Sequence, residues 1–255
     1  RKKAEFGVGI ARMEDRYFQT NIIDFSETKH DESTYSIFGG SIVLEGSTLN
    51  ARQFATQGSR EKMAAQIFTG TEHFRSGISK VTKGTPEPYK KVQSWLQVSY
   101  QNETYHKVSP KFTLGAYLEA YYSSRNFSNN YTATLMQAGE FTPTAHSKVT
   151  YNEAFRANQY AGVGTMPIYQ LSESFQLRGE FYGFIPIFPI KKDEYGQAYY
   201  GKAFTKFEYL GEISLVFQLS FGSISAYVNH YSSPSNDWNV GLTLGWQLFN
   251  SRFVE

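Results

Sequence analysis

The chain of 255 residues contains no cysteine. Disulfide scaffolds, thiolate zinc sites and cysteine nucleophiles are therefore excluded. No continuous apolar run approaches 18 residues, which excludes a membrane-spanning helix. The formal net charge is only +2. No Lys/Arg run exceeds two residues except the opening Arg1, Lys2 and Lys3, so no nucleic-acid partner is expected.

The chain is rich in aromatic residues and shows a two-residue periodicity. Aromatics make up 17% of the residues, and there are 21 glycines. In the stretch WNVGLTLGWQLFN (238–250), alternate positions carry Trp or aliphatic side chains, and the positions between them carry Asn, Gly, Thr and Gln. A period of two indicates a strand.

The same alternation recurs along most of the chain. It is clear at 4–10, 38–44, 62–67, 96–101, 112–122, 175–182, 212–219 and 224–229, and weaker at 17–25 and 158–168. Together with the 238–248 run, these segments predict eleven or twelve strands of roughly ten residues, which is the length of a tilted membrane strand. Polar connections separate them, and a tight turn is expected around Phe221 and Gly222.

The two faces of these strands predict a transmembrane antiparallel β-barrel that occupies 1–255 as a single domain. One face carries no charge across eight strands, and charges at a bilayer midplane are costly. On the last strand we expect Trp238, Leu242, Leu244 and Trp246 to face lipid, and the Gly/Thr/Asn face to line a polar lumen. A large soluble β-sandwich or a lipocalin-like barrel predicts the same alternation and remains the alternative fold.

Several stretches resemble a known family. They are LNARQFATQGSREKMAAQIFTGTEHFRSG (49–77), SWLQVSY (94–100), NNYTATLMQAGEFTPT (129–144), FRANQYAGVGTMPIYQL (155–171), LGEISLVFQLSFGSISAYVNHYSS (210–233) and the closing LGWQLFN. They resemble the C-terminal barrel of bacterial patatin-like phospholipases, outer-membrane proteins related to type V autotransporters. That barrel is similar to the barrel of the outer-membrane assembly and translocation (Omp85) family.

The resemblance implies a larger protein than this chain. Such proteins carry an N-terminal patatin lipase domain with a Ser-Asp dyad, a small periplasmic domain and a barrel usually of sixteen strands. The lipase needs a G-x-S-x-G turn and an Asp-Gly pair, and this sequence contains neither. We therefore expect the chain itself to be non-catalytic. Its strands would be the last eleven or twelve of sixteen, or would close a smaller barrel.

The 123–157 segment is too long for an idle loop. In the relatives from the outer-membrane assembly and translocation family, a long loop enters the lumen and is pinned by an Arg-Gly-aromatic motif. The 123–157 segment occupies the matching place, whereas here Arg156 is followed by Ala157 and Asn158. The segment is rich in apolar side chains, which should not be left in water. We expect it to fold into or against the lumen, with Arg156 paired to Glu180 or Glu119.

The polar face supplies the candidate site residues. They are Arg156, Arg178, Glu180 and Glu119, all candidates for lumen ion pairs, since a buried carboxylate needs a cationic partner. Such pairs either anchor a loop or line a path, or only fill the barrel. Five scattered histidines show no ligand spacing, so no metal or other cofactor is expected.

Three functions stay open at this point. The leading one is a non-catalytic barrel of the bacterial outer membrane that anchors, and helps export, a patatin-like lipase domain. The second is a stand-alone pore or a subunit of an outer-membrane assembly or translocation complex. The third is a soluble ligand-binding β-barrel. For the first two, the expected partners are outer-membrane lipids, the barrel-assembly machinery and other outer-membrane subunits.

Overall fold

A computed structural model describes residues 2–18, 30–77, 89–220, 222–233 and 238–246. Within these ranges the fold is all-β, and ten antiparallel strands form one large sheet in which each strand pairs with its neighbours in chain order. The ten strands are β1 (Lys2–Tyr17), β2 (Asp31–Ser47), β3 (Gly58–Arg75), β4 (Tyr89–Lys107), β5 (Phe112–Ser123), β8 (Gln159–Gln170), β9 (Phe175–Pro186), β12 (Glu208–Leu219), β13 (Gly222–Tyr231) and β14 (Trp238–Trp246).

The remaining elements are short and lie in two connections. Between β5 and β8 are α1 (Tyr131–Gln137), β6 (Gly139–Glu140), two single-turn 3-10 helices (Ser147–Val149 and Glu153–Phe155) and β7 (Arg156–Ala157). Between β9 and β12 are β10 (Ile190–Lys192) and β11 (Ala198–Tyr200). Among the described residues, every helix is too short or too polar to cross a bilayer.

The clear alternating runs, including the described part of the 238–248 run, fall on nine of the ten strands of the sheet, and the weaker run at 158–168 falls on the tenth, β8. The expected length of about ten residues is wrong for β1 to β4, which have 16, 17, 18 and 19 residues. Of the other weak run, Tyr17 ends β1, and 19–25 lies outside the described residues. The tight turn after Leu219 is confirmed, because Leu219 pairs directly with Gly222.

The register places the apolar positions of neighbouring strands on one face. Leu44 pairs with Met63, and Leu118 pairs with Val163. The resulting apolar belt consists of exposed large side chains, which are Phe38, Ile42, Leu44, Met63, Ile67, Val92, Leu96, Val98, Leu114, Leu118, Tyr122, Val163, Tyr169, Phe175, Leu177, Phe181, Tyr209, Ile213, Leu215, Ile224, Trp238, Val240, Leu242 and Leu244. Apolar side chains are therefore outside, along nearly the whole width of the sheet.

The opposite face is concave, polar and covered. The ring centroids of Tyr117 on β5 and Tyr182 on β9 are 5.3 Å apart, although β8 lies between these strands. Strand spacing alone would separate their backbones by about 10 Å, so the side chains converge as on the inside of a curve. Two connections cover this face, the 123–157 segment at one end of the strands and the 48–57 loop at the other.

Connections are longer at one end of the sheet than at the other. The end that carries the 123–157 segment also has the connections 18–30, 76–88 and 187–207. The opposite end has the turns 108–111, 171–174 and 220–221, with the 48–57 loop as its longest connection. The outer edges, β1 and β14, each pair with one neighbour within the described ranges. Most of β1 is exposed on both faces.

Candidate functional site

The concave face holds most of the charged side chains that the sheet buries, so the candidate site is built from this face and its two covering connections. The 123–157 segment reaches it through α1. Asn130 caps α1, because its side chain accepts a 2.8 Å hydrogen bond from the backbone N–H of Ala133. The amide of Asn130 also donates to the Tyr17 hydroxyl at 3.0 Å, which joins α1 to the β1 edge of the sheet.

In the middle of the segment, Phe141 packs against aromatic side chains of the concave face, and we call this side chain the aromatic plug. The Phe141 ring is almost fully buried, with centroids 5.6 Å from Phe184 and 6.0 Å from Tyr160. A Cβ added at Gly162 would lie 2.1 Å from the Phe141 ring. Since real Cβ atoms do not approach so closely, glycine at 162 is what lets Phe141 sit against β8.

Arg156 is held inside the segment itself. Its Nη2 lies 2.8 Å from Glu140 Oε2, and its Nη1 donates to the carbonyls of Leu135 and Met136 at 3.3 Å each. The prediction that Arg156 pairs with Glu180 or Glu119 is therefore wrong. The reason is local: β6 pairs with β7, which sets Glu140 directly opposite Arg156. The carbonyls of Leu135 and Met136, at the end of α1, also attract the Arg156 guanidinium.

Arg178 and Glu180 form a buried ion pair on the concave face of β9. Arg178 also donates to the Tyr105 hydroxyl at 2.8 Å and to the Ala55 carbonyl at 2.9 Å. Tyr182 donates to the other carboxylate oxygen of Glu180 at 3.0 Å. The pair thus binds β9 to β4 and holds the 48–57 loop against the sheet.

Further side-chain amides fix the 48–57 loop. The carbonyl of Phe54 accepts hydrogen bonds of 3.3 Å from Gln176 and from Gln218. Ser223 donates to the Gln53 side-chain carbonyl at 3.2 Å. Within this turned path Phe54 adopts a φ of 53°, a left-handed conformation that is uncommon for a residue with a side chain.

Glu119 on β5 has hydroxyl partners rather than a cation. Tyr160 donates to Oε1 at 2.7 Å, and Tyr117 donates to Oε2. The expectation of an arginine partner is wrong here, because Arg178 is already engaged by Glu180 and Arg156 by Glu140. The two tyrosines satisfy the carboxylate and connect β5 to β8.

His146 anchors the segment to the far side of the sheet. Its Nδ1 lies 2.6 Å from Glu212 Oε1 on β12, and its ring stacks on Tyr227 of β13 at 3.6 Å between centroids. Its Nε2 lies 3.4 Å from Ser225 Oγ. A Ser–His–carboxylate array is the arrangement of a serine nucleophile with its base. Ser225 is only 1% exposed, however, so a substrate has no room beside its Oγ while the segment is seated.

Arg125 is the cation at the start of the segment. Its guanidinium lies 4.6 Å from the Trp95 ring centroid and 5.2 Å from that of Tyr35, and its Nη1 donates to Gln137 at 2.7 Å. Burial lowers the pKa of Arg125 below its usual value, although a guanidinium stays charged throughout the physiological range. Burial likewise raises the pKa of the Tyr131 hydroxyl, at the start of α1, to about 12.

Three of the four side chains expected to meet lipid lie on the outer face of β14. Trp238, Leu242 and Leu244 are all strongly exposed there. The side chain of Trp246 lies outside the described part of the structure.

The sequence analysis missed three contributors to the ion pairs and hydrogen bonds of the concave face, namely His146, Arg125 and the 48–57 loop. Glu212 occupies a buried, inward position of β12, but no spacing in the sequence indicates that a histidine 66 residues earlier meets it. Across the described ranges, no three His, Asp or Glu side chains cluster as a metal site would require. The charged and polar side chains of the concave face are held by ion pairs and hydrogen bonds to one another and to the two covering connections.

Comparison with known proteins adds no assignment. No protein-family model matches the chain, and no curated protein matches it.

Proposed function

We propose that the chain is a transmembrane β-barrel domain of the bacterial outer membrane, with its interior closed by the 123–157 segment and the 48–57 loop. One observation carries the proposal, which is the inverted distribution of polarity. Large apolar side chains such as Ile67 and Leu242 are exposed, whereas Arg178, Glu180 and Glu212 are buried. A protein that folds in water exposes charges and buries apolar groups, and a lipid-embedded barrel with a polar interior does the reverse.

Two further features support the proposal. The asymmetry between long connections at one end and short turns at the other is typical of outer-membrane barrels. The sheet order is an uninterrupted antiparallel meander, which is the strand order of such barrels. Closure would bring β1 and β14 to each other or to further strands, and either would satisfy the edge hydrogen-bonding groups.

Refolding the chain into lipid vesicles tests this part. The folded chain should resist extraction by carbonate and urea, and should unfold only on heating in detergent. Its wild-type form should conduct ions weakly, because the two covering connections fill the interior. Recovery of a monomeric folded chain in buffer without detergent would favour the soluble ligand-binding barrel instead.

The family resemblance supports a second part, that the barrel anchors and helps export a patatin-like lipase domain encoded ahead of it. Reading the natural gene upstream of Arg1 tests this directly. A G-x-S-x-G motif followed by an Asp-Gly pair would support it. A gene without them would favour the stand-alone pore or assembly-complex subunit.

A further inference from the structure

A depression on the outer face of the sheet, the belt groove, lies among the side chains of β8, β9, β12, β13 and β14. It has a volume of about 590 Å³, within the range of sites that hold small molecules. Glycines at 183 and 211 form part of its floor, where neighbouring positions of the belt carry large side chains. Phe181, Phe207 and Ile213 are among its walls.

One end of the groove has a polar rim. Tyr209, His230 and Trp238 lie where β12 begins, β13 ends and β14 begins, which is the long-connection end of the sheet. The His230 ring centroid is 4.8 Å from Trp238 and 5.9 Å from Tyr209. Each of these three rings carries a group that can donate a hydrogen bond. Tyrosine and tryptophan are also the residues that concentrate at the level of lipid headgroups.

The groove therefore combines an apolar trough with a rim of hydrogen-bond donors. That is the polarity of an amphiphile with an acyl chain and a head rich in hydrogen-bond acceptors, such as a phosphate.

We propose that the belt groove binds the acyl chain of a phosphate-bearing membrane lipid, with the headgroup against Tyr209, His230 and Trp238. The inference rests on the proposed membrane location, since only there is the belt in contact with acyl chains. It goes beyond the membrane location, because lipids around an ordinary lipid-facing surface exchange at similar rates everywhere. Here a lipid binds preferentially at one place on the belt, the belt groove.

Two matched variants test the groove. A Cβ at Gly211 meets only Phe181, at 3.6 Å, so Gly211→Leu should fold and extend into the groove. Ala65→Leu adds the same kind of bulk to the belt on β3, five strand steps from β12. All three proteins are first checked for insertion into vesicles, and then exposed to phosphatidylglycerol with a photoactivatable diazirine in its acyl chain.

The expected labelling is concentrated on the peptides that contain Phe181, Phe207 and Trp238. It should fall by roughly tenfold in Gly211→Leu and stay unchanged in Ala65→Leu. If the inserted protein is labelled evenly along the belt, or equally in both variants, the belt groove does not bind lipid preferentially, and the proposed membrane location is unaffected. Failure of the wild type to insert would overturn both. Native mass spectrometry that finds dimers lost in Gly211→Leu would assign the groove to a second copy instead.

Discussion

His146 Nδ1 lies 2.6 Å from Glu212 Oε1, with both side chains almost fully buried. The contact joins the 123–157 segment to β12, and Asn130 joins the same segment to Tyr17 on β1. The segment is therefore fastened near both edges of the sheet, and its aromatic plug lies between the two attachments. Loosening either one should expose chain that the sheet now protects.

His146→Ala should release the segment from β12. The change leaves Glu212 buried, and among the described residues its remaining hydrogen-bond partner is the Asn229 amide, 3.5 Å from Oε2. Removing one partner of a buried pair costs about 3 kcal/mol. Trypsin should then cleave faster after Arg125 and Arg156 in vesicle-inserted protein. Cleavage after Lys148 carries no weight, because that side chain is exposed already.

Two companion variants sharpen this test. Glu212→Gln keeps an oxygen that can accept from the imidazole, so its effect should be smaller than that of His146→Ala. His106→Ala removes an exposed histidine at the end of β4 and should leave cleavage unchanged. Equal protection in His146→Ala and His106→Ala would contradict the anchoring role of His146.

Arg178→Met should destabilise the fold by about 3–5 kcal/mol, because it leaves Glu180 buried without its cation. The double variant Arg178→Met with Glu180→Leu should recover much of this loss. Arg16→Met is the control, because the Arg16–Glu14 pair is exposed and contributes about 0–1 kcal/mol. Denaturant unfolding of the wild type and these three variants gives the comparison, and a double variant less stable than Arg178→Met would count against direct coupling.

Gly162→Ala should unseat Phe141, because the new Cβ would overlap its ring. Overpacking of this kind costs about 1–3 kcal/mol. Gly211→Ala on the outer face should be tolerated, since its Cβ has only ordinary contacts. Near-identical unfolding midpoints for the two variants would show that the segment does not press against β8 as described.

The strands could be predicted from the sequence because alternation is a local property. Whether a residue such as Leu215 lies on the apolar or the polar face of its strand follows from the residues immediately before and after it. The register then aligns these faces from strand to strand. Strand ends were harder to predict. In β1 to β4 the polar residues beyond the belt continue the pairing and leave no apolar signal.

The pairings inside the concave face could not be predicted, because they depend on how irregular connections fold. Arg156 was expected to pair with Glu180 or Glu119, yet its partner is Glu140 within the same segment. His146 looked like one of several loop histidines. Only the path of the segment across the sheet brings it to Glu212.

The belt itself gives the most direct test of the membrane location. Ile67 and His73 lie on the same face of β3, six residues apart, and both are exposed. Ile67 pairs with Gly40 and Leu96 in the apolar belt, whereas His73 pairs with Thr34 and Lys90 near the strand end. Only a bilayer distinguishes an arginine at these two exposed positions.

The measurement is the unfolding free energy of Ile67→Arg and His73→Arg in lipid vesicles. We expect a loss of about 2–4 kcal/mol for Ile67→Arg and about 0–1 kcal/mol for His73→Arg, because the cost of a cation falls from the bilayer midplane to the interface. If both substitutions change stability by less than about 0.5 kcal/mol, as at two exposed positions in water, the belt does not face lipid and the chain is not a membrane barrel.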